Sequence, residues 1–520
     1  MADNKKVRPF GMRDKLAYAA GDLGCNMSFA LKGTVQTFWL VYMTMETGLL
    51  SILLLLVQIW DAINDPIIGS MVDADNRKYR MGKFKTYIFV GACGLLLAGA
   101  LVFIPLPNVE VWLKCVLFIA GYVVWDACYT VANVPYGSML SLISEDAGDR
   151  AQLSTWRSIG SLLGNIVPMI ILPMLIWKDH TYDGSGIIEG IEGVFHTNPV
   201  TGLPYVEGEV MLNPLTHAKV QDLLGQNVFW AALIMGIFGF VCFMFMLKKI
   251  TLRVDESSVK IESTEKFNIL KTFKAFLKNR PAIGATIAAM AMFLGMQSAS
   301  TATTIMFATY FGEADLSGVA SAIGFLPMMV FFPFIKKIVL KFGKKEASAY
   351  GTLVSIVGAG LMFVFPLIQD KTIAMVMYII ALSIFGIGMG VYTCVGWALM
   401  ADAIDYNEWK TGRREEGAVY SLHSFFRKLA QGIGPSIVLV IMGLLGYVSS
   451  LGTVGQSPET AYNMCWLVAG LYLFSAVLQY VGIGIVYNLD KKTTEQMTKE
   501  LSERHAQIQA KEVSSEEVSA

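Results

Sequence analysis

Residues 59–69 read Ile59-Trp60-Asp61-Ala62-Ile63-Asn64-Asp65-Pro66-Ile67-Ile68-Gly69. They follow the apolar run from Leu49 to Val57, and residues 49–72 together are long enough to cross a bilayer. Only two charges stand inside that stretch, Asp61 and Asp65. A carboxylate within a membrane helix is costly and by default marks an ion or proton path. Residues four apart stack on one helix face, so Asp61 and Asp65 point the same way, with Asn64 beside them. Pro66 follows at once and weakens the local backbone ladder, freeing carbonyls. Two carboxylates and an amide oxygen on one face suit a small hard cation or a proton.

The rest of the chain reads as membrane protein too. Hydrophobic residues make up 54% and charged residues 16% of 520, against roughly 25% charged in soluble domains. The 48 glycines suit close helix packing in lipid. Net charge is zero, so no polyanionic partner such as a nucleic acid is implied. Seven cysteines (25, 93, 115, 128, 242, 394 and 465) fall in apolar segments without pairing or metal spacing, and read as small core residues. The opening Met1-Ala2-Asp3-Asn4-Lys5-Lys6 has no signal-peptide pattern, so the first helix is expected to stay as the insertion signal.

Twelve stretches reach spanning length: 17–43, 49–72, 86–106, 111–142, 155–177, 227–247, 282–311, 317–341, 347–367, 373–404, 417–446 and 461–488. An even number puts both termini on one side. Of the 41 Lys and Arg, only Lys114, Lys178, Lys219 and Lys371 fall at or beyond the opposite face. Lys32, Arg157, Arg427 and Lys428 lie in or just inside spans, and the remainder crowd the termini and the even-numbered loops. The positive-inside rule then puts both termini in the cytoplasm.

The expected organisation is an N-terminal six-helix bundle over 1–247, a linker over 248–281, a C-terminal six-helix bundle over 282–489 and a cytoplasmic tail over 490–520. Residues 178–226 form a long outer loop, read as a surface insertion or a lid. In the linker, Ile269, Leu270, Phe273, Phe276 and Leu277 recur at helical spacing among lysines, which suits an amphipathic helix on the cytoplasmic leaflet. The tail after Asp490 is charged and Ser-rich and reads as a solvated or disordered end.

The halves echo each other. Ser154-Thr155-Trp156-Arg157 precedes Gly164 as Ser424-Phe425-Phe426-Arg427 precedes Gly434, and Tyr-Thr recurs at 129–130 and 392–393. Each Ser-x-aromatic-Arg motif opens the fifth span of a half. A duplicated six-span unit argues for a transporter with its site at the midplane between halves. Polar residues within spans supply candidates: Asp22, Asn26 and Lys32 in the first, Asp126, Thr130 and Asn133 in the fourth, Arg157 in the fifth, His423 and Lys428 in the eleventh. Interhelical hydrogen bonding is the plain alternative for any one of them. Lys32 and Asp126 both fall near mid-bilayer at 1.5 Å per residue. Lys32 therefore pairs with Asp126, faces the cleft to bind an acidic substrate, or snorkels at the lipid edge.

The 59–69 run resembles the second-helix signature of the glycoside–pentoside–hexuronide:cation symporters, the melibiose permease group of the major facilitator superfamily. The resemblance extends through Arg80-Met81-Gly82-Lys83-Phe84-Lys85 and through Tyr129-Thr130-Val131-Ala132-Asn133-Val134-Pro135-Tyr136-Gly137-Ser138. It returns at Ala401-Asp402-Ala403-Ile404-Asp405-Tyr406-Asn407-Glu408-Trp409 and from Tyr420-Ser421 to Arg427-Lys428. It implies an all-α membrane protein of twelve transmembrane helices in two pseudo-symmetric six-helix bundles. It implies Asp61, Asn64, Asp65 and Thr130 as cation (metal) ligands, Lys428 between the cation and sugar sites, and Arg157 as a sugar ligand. Asn26 and Asn133 stand where the melibiose permease has two aspartates. Gly137 and Thr393 replace aromatic residues, and Lys32 and Asp126 have no charged counterpart there. Around these positions the chain looks more like glucuronide and pentoside permeases.

The expectation is a sugar symporter of the inner cell membrane, driven by Na+ or H+, with no cofactor beyond that ion. Its partners are a sugar or glycoside and the lipid bilayer, with no nucleic acid. Substrate contacts are expected from Asp22, Asn26, Lys32, Asn133, Arg157, His423 and Lys428. A lysophospholipid carrier would share the cation site but want an apolar cleft. A nontransporting sugar sensor would be expected to lose the carboxylates. An enzyme would need a nucleophile–base or metal constellation, which five scattered histidines and unpaired cysteines do not offer.

Overall fold

The computed structural model describes residues 8–75, 77, 79–144, 147–188, 191–253, 273, 276–331, 333–412 and 416–504. It is built of helices. In the first half these are α1 (Met12–Phe29), α2 (Leu31–Thr37), α3 (Thr47–Ala74), α4 (Lys83–Leu101), α5 (Val111–Ser138), α6 (Leu140–Ile143), α7 (Ala147–Ile176) and α8 (Gly225–Lys249). In the second they are α9 (Arg280–Met306), α10 (Ser317–Phe325), α11 (Ile335–Phe342), α12 (Lys344–Leu361), α13 (Lys371–Thr411), α14 (Glu416–Leu444) and α15 (Pro458–Tyr480).

Ten helices among the described residues are long and apolar enough to cross a membrane. The expected first and eighth spans are broken. The first is α1, a turn at Ala30, α2 and a π turn over Phe38–Tyr42. It carries Asp14, Asp22, Lys32 and Gln36, which dilute its apolar run. The eighth is α10, a 3₁₀ stretch over Leu326–Phe331, and α11. Pro327 and Pro333 each remove a backbone donor there. In contrast, α3 runs on through Pro66. Helix α13 is the longest, 41 residues or about 60 Å at 1.5 Å per residue. Asp370 caps its start by accepting from Thr372 N and Ile373 N, and Gly412 ends it at φ 70°.

The chain divides into two units, Met1–Ser263 with Ser300–Ala322 and Pro435–Cys465, and Thr264–Ala299 with Ile323–Gly434 and Trp466–Ala520. Repeated local geometry marks the duplication. Gly82 (φ 89°, ψ 158°) starts α4 and Gly343 (φ 96°, ψ 161°) starts α12, each directly before a lysine. These positive-φ angles favour glycine. The π turn at Phe38–Tyr42 also has a counterpart at Phe307–Phe311.

Within the first unit, glycines let α1 touch its neighbours through backbone. A Cβ on Gly24 would lie 2.8 Å from Gly239 O on α8, and one on Gly164 would lie 2.7 Å from Asn26 Cβ. A Cβ on Gly160 would collide with Ala19 O. These contacts hold α1 in register with α7 and so align Asp22 and Asn26 with Arg157. Gly164→Val is therefore expected to lose roughly 1–3 kcal/mol by overpacking. Gly470→Ala, which meets nothing within 4 Å, should be neutral. Thermal unfolding followed by size-exclusion fluorescence checks both; equal melting temperatures would remove the argument. At one end of α1, Asp14 is fully buried between Arg8 (2.6 Å) and Arg253 (2.8 Å). After α3, Asp75 accepts from Tyr79, Arg77 N and Tyr87, which together hold its carboxyl down to about 2.

The 178–226 segment is folded. Strands β1 (Trp177–Asp179) and β2 (Gln221–Leu223) pair antiparallel over a small core of Ile188, Tyr205, Met211 and Val220. Lys219 pairs with Glu313 at 2.5 Å, Gln221 donates to Asp315 at 2.9 Å, and Asn213 donates to Val454 O. Asp222 accepts from His180 Nδ1 at 2.7 Å and raises the imidazole pKa above its ordinary value.

Two expectations for the second unit change. Residues 491–504 of the tail are helical and docked, because Met497 and Leu501, four apart, are buried beside Leu489 and Leu399. Glu500 accepts from Trp409 Nε1 at 2.6 Å. Of the expected linker helix, Ile269 and Leu270 lie outside the described residues. Phe276 is buried in that same core and stacks on Phe426 of α14, with ring centroids 6.1 Å apart. Phe276 packs on protein, while Phe273 and Leu277 of the same expected face are exposed.

Candidate functional site

Helix α3 brings Asp61, Asn64 and Asp65 against α5, whose Tyr122, Asp126 and Thr130 lie four residues apart on one stripe. Asn64 Nδ2 donates to Asp126 Oδ2 at 3.3 Å and to Thr130 Oγ1 at 3.1 Å. Thr130 Oγ1 donates to Asp65 Oδ1 at 3.0 Å. All four expected cation ligands thus lie in one cluster. Asn64, Asp126 and Thr130 are buried, while Asp61 and Asp65 are half-buried.

Lys32 enters the same cluster from α2. Its Nζ lies 3.5 Å from Asp61 Oδ2. It also lies 5.1 Å from the Phe29 ring centroid and 5.9 Å from that of Tyr122, within cation–π reach of both. Tyr122 Oη accepts from Gln58 Nε2 at 3.1 Å. The expected Lys32–Asp126 pair is therefore corrected: Lys32 pairs with Asp61, and Asp126 takes the Asn64 amide.

A second cluster sits between α1 and α7. Arg157 Nε donates to Asp22 Oδ1 at 2.9 Å. Asn26 Nδ2 donates to Asp22 Oδ2 at 2.9 Å, and Asn165 Nδ2 donates to Asn26 Oδ1 at 2.8 Å. The Arg157 guanidinium stands 5.2 Å from the Tyr136 ring, which stacks on Tyr18 at 4.7 Å. A Cβ on Gly137 would reach only to 4.0 Å from Arg157 Nη1, so the missing aromatic side chain leaves room beside the guanidinium. Asn133 is half-buried on α5 and makes no side-chain hydrogen bond among the described residues.

The remaining expected residues lie on α14 in the second unit. His423 is buried, with Nδ1 2.9 Å from Thr286 Oγ1 and its ring edge-on to Trp397. That is the geometry of a packed polar residue. Arg427 lies over Phe293 at 5.0 Å and Trp397 at 5.5 Å. Lys428 is half-buried one residue on. Sequence reading missed Phe29, Gln58 and Tyr122 around Lys32, and Asn165 and Tyr18 around Arg157. Asn165 had a signal: Arg157, Ser161 and Asn165 recur every four residues. The aromatic residues had none, since the spans are rich in them.

A helical membrane bundle with charged clusters on facing helices is a carrier's architecture. The chain matches the family model for MFS/sugar transport proteins over residues 17–491. It belongs to that family. It is 27% identical over 489 residues to the glucuronide carrier protein homolog of Escherichia coli (strain K12), covering 93% of this chain and 94% of that one. It is 25% identical over 503 residues to the isoprimeverose transporter of Lactiplantibacillus pentosus, covering 96% and 92%. Among solved structures, nucleoside transporter NupG aligns with a TM-score of 0.56 at 12% identity, covering 92% of this chain and 100% of that one. The fold is that of the major facilitator superfamily.

Proposed function

We propose that this protein is a cation-coupled symporter that imports a glycoside, a pentoside or hexuronide, by alternating access. The observation that carries the reading is the pair of charged clusters in the first unit. The Asp61-Asn64-Asp65-Thr130 group serves the coupling cation, Na+ or H+. The Arg157-Asp22-Asn26-Asn165 group serves the sugar. Without a cation, the carboxylates repel one another in a low-dielectric setting. A cation relieves that cost and favours the sugar-binding arrangement, and linkage makes the sugar favour the cation equally. The protein works in the inner membrane with both termini in the cytoplasm.

The substrate class follows from Arg157. A guanidinium has five donors, and Asp22 takes the Nε donor. The open space at Gly137 lies beside Nη1, where a sugar hydroxyl or carboxylate is accommodated. The similarity to the glucuronide carrier homolog and to the isoprimeverose transporter supports the same reading. Purified protein in proteoliposomes should accumulate a β-xyloside or a β-glucuronide under an imposed proton or sodium gradient. Either should displace label at least tenfold better than melibiose. Stronger competition by melibiose would reverse the substrate assignment. No accumulation of any sugar tested would end the symport reading.

A further inference from the structure

We infer that the Lys32 ammonium is a built-in cation that takes the place of sodium at Asp61, so that this protein does not bind sodium there. The inference rests on the cation-coupled reading only in treating the Asp61 cluster as the cation site.

Four observations carry it. The Lys32 Nζ already stands 3.5 Å from Asp61 Oδ2, within ion-pair distance. The ammonium is also held by the face of Phe29, 5.1 Å away, and by the Tyr122 side chain, whose hydroxyl hydrogen-bonds with it. Both side chains of the pair are mostly buried, with 20% and 18% exposed, so the attraction is only partly screened.

The fourth observation is the direction of the hydrogen bonds. A hard metal ion of sodium's size needs several oxygens converging at roughly 2.3–2.6 Å, the range calcium uses. Here Asn64 turns its amide nitrogen, not its oxygen, towards Asp126 and Thr130. Thr130 gives its hydroxyl proton to Asp65. The Thr130 oxygen is thus already engaged by a protein donor, Asn64, while its proton goes to Asp65, and both Asn64 amide hydrogens are spent inside the cluster. Lysine is suited to this place because its charge is compact and its stem flexible. The tether fixes it at very high effective concentration, which a free monovalent ion must outcompete.

The test needs no sugar. Melting temperature is measured on purified protein across a titration of sodium chloride, with choline chloride at matched ionic strength as reference. For the unaltered protein, sodium and choline should give the same curve. For Lys32→Met, sodium should give a saturable rise of several degrees over choline, because anything that binds only the folded state raises its stability. The rise should vanish in Lys32→Met with Asp61→Asn. If Lys32→Met is not recovered from the membrane, Lys32→Gln carries the same readout. A saturable sodium response in the unaltered protein overturns the inference, whichever carboxylate it depends on. So does the lack of any sodium response in a folded Lys32 variant. Uptake failing for every sugar would end the symport reading while leaving these curves unaffected, so the two failures are separable.

Discussion

Asp61→Asn is expected to abolish gradient-driven sugar accumulation and also to reduce the amount of folded protein. Two effects combine. The amide keeps the size of the carboxylate but removes the charge on which the cation site depends. It also strands the Lys32 ammonium, 3.5 Å away, without its counter-ion. Breaking a fully buried pair costs about 3–5 kcal/mol, and this partly exposed one should cost a fraction of that. Asp65→Asn separates the two effects. Asp65 accepts from Thr130, and an asparagine oxygen still accepts, so the fold should survive while accumulation is lost. Adding Lys32→Met to Asp61→Asn removes the stranded charge. Folded yield should return and accumulation should not. Measured by uptake and by size-exclusion yield on the same preparations, normal concentrative uptake by either single variant would disprove the cation role.

How far the sequence reached is clearest at this cluster. The Asp61-Asn64-Asp65 face follows from four-residue spacing on one helix, and the structure keeps it. Thr130 came from the family resemblance and falls where that resemblance implies. The partner of Lys32 was out of reach. Rise per residue gives depth in the bilayer, and Asp61 and Asp126 share a depth, so only the rotation of α2 after Ala30 decides between them. The broken eighth span was visible as Pro327 and Pro333, but a hydropathy window averages over them. The tail helix was hidden for the opposite reason. Residues 491–504 are nearly all polar or charged, and Met497 and Leu501 become a stripe only when a groove is there to bury them. In the 178–226 segment, short bridges and a four-residue core make a folded piece with no periodicity long enough to read.

The Arg157–Asp22 pair is the place where a structural and a functional role can be told apart. Asp22 is almost fully buried, and Arg157 keeps 38% of its side chain exposed. Arg157→Ala leaves the Asp22 carboxylate buried with neutral hydrogen-bond partners, the Asn26 amide and Ser161, in place of its counter-ion. The cost should approach, without reaching, the roughly 3–5 kcal/mol of a broken buried pair. Loss of uptake in that single variant therefore says little. The double change Arg157→Ala with Asp22→Asn removes the stranded charge and should restore melting temperature close to the unaltered value. If Arg157 only holds Asp22, uptake by the double variant matches that of Asp22→Asn alone. If its Nη1 donor beside Gly137 binds the sugar, uptake stays at least a hundredfold down in a well-folded protein. The second outcome is expected, because a site built to hydrogen-bond its substrate loses about 2–3 kcal/mol or more when a charged donor goes. Arg157→Lys refines the point. It keeps the charge on Asp22 but loses the planar fork, so it should fold normally and bind sugar weakly. A double variant that transports as well as the unaltered protein would reduce Arg157 to a strut for Asp22 and move the sugar site elsewhere.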